Sequence, residues 1–144
     1  MTPRLVVARG AASGLLLGAP AALANAFIAK QDSPSQGLLA LTYLVVLVSF
    51  VLAGFVAGLE APEGTDVARL GIYAALGTFV AVELIVILGR LDRGAGISPL
   101  GIAIVGLLAV LGGNTGARIG AQRQAARSAR GDSLPGPDER GPIQ

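Results

Sequence analysis

The chain has 144 residues, 53% hydrophobic and only 14% charged, with a formal net charge of +2, where a soluble domain carries about 25% charged residues. That balance and a mean hydropathy of +0.69 argue against a water-soluble globule and for a membrane protein. Cysteine and histidine are both absent, which removes disulfides, thiol and imidazole catalysis, haem ligation through those residues and the usual zinc sites.

An uncharged stretch of about 20 residues crosses roughly 30 Å of hydrocarbon as a helix. The first lies at 10–29, between Arg9 and the polar run from Lys30 to Pro34. Arg4, Arg9 and Ala22-Leu23-Ala24 imitate a cleavable secretory signal. Pro20 interrupts the apolar run, however, and the run continues past the cleavage site through Phe27 and Ile28, so the span is expected to be retained. It carries Gly10, Gly14 and Gly18 at four-residue intervals, and Asn25 on the same face.

The second span, 38–59, follows Ser33-Pro34, which reads as an N-cap with proline at the first helical position. It holds Thr42 and Tyr43 near its start, and Gly54 and Gly58 near its end. After an acidic turn with Glu60, Glu63 and Asp66 comes the third span, 70–89, with one acid, Glu83. The fourth, 98–117, opens on Ser98-Pro99 and carries Gly112, Gly116 and, just past it, Gly120.

The short connections predict an all-α integral membrane fold, four transmembrane helices in an up-down-up-down bundle. Residues 1–119 form the membrane domain and 120–144 a basic, then disordered, tail. Both termini then share a side with Arg4, Arg9, Arg69, Arg118, Arg123, Arg127, Arg130 and Arg140, against Lys30, Arg90 and Arg93 opposite. The positive-inside rule places that side in the cytoplasm. Sparse lysine with abundant Ala, Gly, Arg and Val suggests a bacterial source, hence the bacterial cytoplasmic membrane.

The glycine rows are small-xxx-small faces, which let helices approach closely where lipid supplies little hydrophobic drive between them. Their simplest use is packing among the four helices rather than an oligomer seam. Residues 52–58 and 111–117 also align as Leu, small, Gly, two variable positions, small, small, which suggests two tandem hairpins in parallel repeat.

Glu83 is the only formal charge well inside a span, where a carboxylate costs something like 2.5–3.5 kcal/mol and must be paired, hydrated or protonated. On a helical wheel it shares a face with Ile72, Leu76, Phe79, Ile87 and Arg90, largely opposite Gly71, Ala74, Gly77, Thr78 and Ala81. If the small face packs inside, Glu83 points out, toward lipid, a second copy or another membrane protein. Asn25, at similar depth, is its expected hydrogen-bond partner. Arg90 lies about 10 Å further along the same face.

Arg118, Arg123, Arg127 and Arg130 extend the fourth helix beside anionic headgroups, at about 1 kcal/mol each. With no aromatic residues for stacking, that segment is not read as a nucleic-acid site. No phosphate-binding loop and no paired carboxylates for a metal are present, and no cofactor is expected.

The size and four-helix layout resemble the small multidrug exporters, which carry their acid on the first helix; here that helix has none. A glycine-rich helix with one membrane glutamate resembles the rotary-ATPase proteolipids, whose acid sits on the second helix of a hairpin, whereas Glu83 is on the first helix of the second hairpin. Size and a basic tail resemble phage holins. No motif is shared with any of these and no family is assigned. The expected role is non-enzymatic: a structural, assembly or accessory subunit acting through helix packing, with the lipid bilayer and a homo-oligomer or membrane-protein partner as its contacts. The alternative is a minimal transporter or proton-coupled membrane protein using Glu83.

Overall fold

A computed structural model describes residues 1–132, and among these every regular element is an α-helix: α1 (Pro3–Ile28), α2 (Gln36–Leu59), α3 (Val67–Leu91) and α4 (Pro99–Asp132). All four are long and apolar enough to cross a membrane. Three of the four starts carry a side-chain cap. Ser35 Oγ accepts from the Leu38 amide at 3.4 Å, the Asp66 carboxylate from Arg69 N at 3.2 Å and Ser98 Oγ from Gly101 N at 3.2 Å. Ser98-Pro99 therefore opens α4 as its sequence implies. At α2 the cap is Ser35 rather than Ser33, because the residues just after α1 close turns through Lys30 N to Phe27 O and Gln31 N to Ile28 O.

Helix α1 runs unbroken through Pro20, a substitution membrane helices tolerate when neighbours support the freed backbone. The α2–α3 and α3–α4 connections turn at Gly64 (φ 75°) and Gly94 (φ 65°), where a side chain would be strained. Helix α4 has 34 residues, about 51 Å at 1.5 Å per residue, and passes without interruption through position 119, where the sequence suggests a tail begins. Residues 133–144 of that tail lie outside the described residues.

Helices α2 and α3 touch each other and both outer helices, while α1 and α4 make no contact with one another. Gly10, Gly14 and Gly18 of α1 seat on Ala53, Ser49 and their neighbours in descending order along α2, and on Ala74, Thr78 and Val82 in ascending order along α3. A Cβ built on Gly10 would stand 2.6 Å from the Ala53 carbonyl oxygen and 2.8 Å from the Ala74 Cβ. The row is therefore filled by this chain's own helices.

On the other side, Gly54 and Gly58 of α2 press on the backbone of Gly113 and Ala117 of α4, and Gly116 and Gly120 of α4 on that of Val51 and Phe55. Gly71 of α3 closes on Gly113 from a third direction, with a built Cβ only 2.5 Å from the Gly113 carbonyl oxygen. Three backbones thus converge near the end of the bundle that holds Pro3, Leu59 and Val67, here called the near end. The segments that align in the sequence, 52–58 and 111–117, are the two that touch, Gly54 on Gly113 and Gly58 on Ala117.

The side-chain distribution inverts that of a protein in water. Alanines at 53, 57, 74, 75, 109 and 117 are fully buried, while Leu16 is 81% and Leu100 71% exposed. Small residues inside allow backbone-to-backbone dispersion contact, and the large apolar ones are left for lipid. Phe50 is the largest fully buried side chain, packed edge-on to Phe79 at 6.4 Å between ring centres.

Candidate functional site

The tight α2–α4 contact is confined to the near end. Toward the far end a Cβ built on Gly101 would meet only Ser98 of its own helix, and one on Gly106 only Phe79 of α3. There a crevice of about 180 Å³ is lined by Tyr43 and Val46 of α2, Val82, Glu83 and Val86 of α3, and Gly101, Ile102 and Val105 of α4. Arg90 and Ser98 stand at its far rim.

Glu83 is therefore partly exposed and lines this crevice. Its setting follows from how α3 is packed. The buried side of α3 centres on Gly71, Ala74, Ala75, Thr78 and Val82, not on the small residues alone, and Gly77 is exposed. Glu83, about 100° round from Val82, falls on the flank facing α4.

Asn25 is not brought to Glu83. Its Nδ2 donates to Thr42 Oγ1 at 2.6 Å, across the α1–α2 pair, and α1 lies on the opposite side of α2 and α3 from α4. Thr42 in turn donates to Leu39 O at 2.8 Å. Arg90 shares the crevice with Glu83, but its Nη1 donates to Gly96 O at 3.4 Å, bracing the α3–α4 turn.

The buried hydroxyls of Ser49 and Thr78 are likewise satisfied. Ser49 Oγ donates to Val46 O at 2.6 Å, and Thr78 Oγ1 reaches both Ala74 O at 3.1 Å and Ala11 O at 3.2 Å, the second bond linking α3 to α1. Glu83 makes no direct hydrogen bond among the described residues, and the Arg90 guanidinium in the same crevice acts on it electrostatically.

The two ends of the bundle are tied by charge. At the far end Lys30 pairs with Asp92, and Arg93 Nη1 donates to Ala26 O at 3.1 Å, capping α1. The hydrogen bond from Lys30, and then its charge, hold the exposed Asp92 carboxyl below its ordinary range. At the near end Arg9 pairs with Glu60 at 3.3 Å and Arg69 with Asp66 at 3.2 Å. Arg118 bonds Asn114 at 3.1 Å, and Arg123 lies over the Phe55 ring, 5.6 Å from its centre. With its amide turned to donate, Gln124 reaches Leu59 O at 3.1 Å and Gly58 O at 3.3 Å, closing the end of α2. Arg127 and Arg130 continue along the same helix.

Sequence reasoning missed Gly113 and the role of Gln124. Gly113 stands outside the row at 112, 116 and 120, and its signal was the second small pair it makes with Ala117. Among the described residues no group of three acids could hold a metal ion.

No protein-family model matches this chain, and no curated protein or solved structure is similar to it.

Proposed function

We propose that this chain is a four-crossing protein of the bacterial cytoplasmic membrane, inserted up-down-up-down with both termini in the cytoplasm, and that it serves as an accessory or assembly subunit without enzymatic activity. The alternating contact order of the helices supports the insertion, and the arginines of the near end support the orientation. A C-terminal reporter active only outside the cell would contradict it. Arg118, Arg123, Arg127 and Arg130 then lie at the inner headgroups.

The observation that carries the functional reading is the pair of opposite charges, Glu83 and Arg90, lining one crevice between α2, α3 and α4. The glycine rows are consumed within the chain, so they leave no seam for a partner, whereas the crevice gives one a polar contact inside the membrane. Access is one-sided: toward the near end the bundle is filled by the Phe50–Phe79 contact and by the convergence of Gly54, Gly71 and Gly113. That favours binding over passage of a proton or solute, which needs a second access.

Purification in mild detergent and proton-flux measurement in vesicles, both with wild type and Glu83→Gln, test this. Loss of a stoichiometric membrane partner with unchanged flux supports the subunit reading. Loss of proton flux with unchanged assembly supports transport instead.

A further inference from the structure

We infer that the near end holds one anionic phospholipid in the groove between the start of α1 and the start of α3, with the lipid phosphate on Arg4. The inference goes beyond the partner reading and rests only on the chain crossing a membrane. The groove, about 380 Å³, is lined by Pro3, Arg4 and Val7 of α1 and by Leu70 and Tyr73 of α3, and its surface is almost wholly apolar. Its place along the bundle suits a lipid standing upright. Arg9 reaches Glu60, the residue that follows α2, and so marks the plane where the bundle emerges. Arg4 lies about 7 Å further out along α1, and Tyr73 about one turn further in than Arg69 along α3. The groove thus runs from an exposed tyrosine at acyl-chain depth to an exposed arginine at phosphate depth, with Val7 and Leu70 between them for the upper part of the chain.

The charge at its mouth is free. Arg9 is paired with Glu60 and Arg69 with Asp66, Arg118 bonds Asn114, and Arg123 sits over Phe55. Arg4 has no hydrogen bond, ion pair or ring contact among the described residues, and no carboxylate lines the groove. An anion with an apolar tail complements both the guanidinium and the groove, and at this depth in a membrane that anion is a phospholipid headgroup.

The chain has two tyrosines and no tryptophan, so Tyr43→Phe leaves Tyr73 as the sole fluorescent reporter. The full chain with that substitution is reconstituted in phosphatidylcholine vesicles holding a minor fraction of phosphatidylglycerol brominated in the upper part of its acyl chains, or the same fraction of phosphatidylcholine brominated there. Bromine quenches Tyr73 only when its lipid stands beside the ring. Phosphatidylglycerol is expected to be preferred about fivefold, the equivalent of about 1 kcal/mol, which is what one arginine beside anionic lipid contributes. Arg4→Gln is expected to abolish the preference, as is Val7→Phe, which fills the groove and keeps the arginine. Arg127→Gln removes an equal charge from the exposed side of α4 and is expected to leave the preference unchanged. Equal quenching by the two lipids, a preference that survives Arg4→Gln or Val7→Phe, or one lost equally with Arg127→Gln overturns the inference. Quenching by neither lipid overturns it together with the placement of Tyr73 in the bilayer.

Discussion

Gly54 of α2 rests directly on the backbone carbonyl of Gly113 of α4, with no room for a side chain on either partner. This contact sets how closely the near ends of α2 and α4 approach. Gly54→Ala is expected to lower stability by about 1–3 kcal/mol, as overpacking of a filled interior does. Gly113→Ala is expected to do the same, since its Cβ would meet both Gly71 O at 2.5 Å and Ala75 Cβ at 2.6 Å. Gly101→Ala, at an open position, is expected to be neutral or stabilising by under about 1 kcal/mol. Unfolding midpoints in mixed micelles compare the three.

The Asn25–Thr42 bond joins α1 to α2 within the far half of the bundle. A double-mutant cycle with Asn25→Leu and Thr42→Val is expected to give a coupling of about 0.6–2 kcal/mol. Coupling between Asn25 and Glu83, measured with Glu83→Gln, is expected to be near zero, because the two residues lie on opposite sides of the α2–α3 pair.

At the far end the Asp92 carboxyl is held below its ordinary value of 3.8 by Lys30. A depressed carboxyl stabilises the folded state fully above its unfolded value, and that contribution fades as pH falls through the lower folded one. Wild type is therefore expected to exceed Asp92→Asn slightly in thermal stability at neutral pH, with the difference vanishing in acid below the ordinary carboxylate range. Salt narrows it at neutral pH as well, since the pair is exposed.

Much of the fold was legible because its cause is local. A helix in lipid must satisfy its own backbone, so three uncharged stretches and one with a single acid located the four spans, and the helices exceed them only where they emerge, as α4 does from 117 to Asp132. Legibility ended where a residue's meaning depends on its neighbour. The four-residue rows of α1 read correctly as packing faces, but nothing local distinguishes Gly113 from Gly112 until α2 and α3 both arrive on it. The alignment of 52–58 with 111–117 reads as a duplication, yet the aligned residues are in contact. Two parallel helices meeting backbone to backbone need small residues at matching heights, whatever their history.

Glu83 was recognisable as the odd residue, since one charge in an apolar span stands out against any background. Its direction was not. The wheel was oriented by the small residues alone, whereas α3 is packed by three helices and buries Ala75 and Val82 with them. Glu83 then stands on the flank of α3 beside α4.

The absence of native cysteine permits the most direct test of whether the Glu83 crevice is occupied by a partner in the membrane. With Ile102→Cys on the crevice wall as the only thiol, labelling by a membrane-permeant maleimide is compared between native membranes and the purified chain in lipid vesicles. Protection in native membranes, lost on purification and lost when Glu83→Gln is added, is the expected result. Equal labelling in native membranes and in vesicles, or protection indifferent to Glu83→Gln, would contradict it.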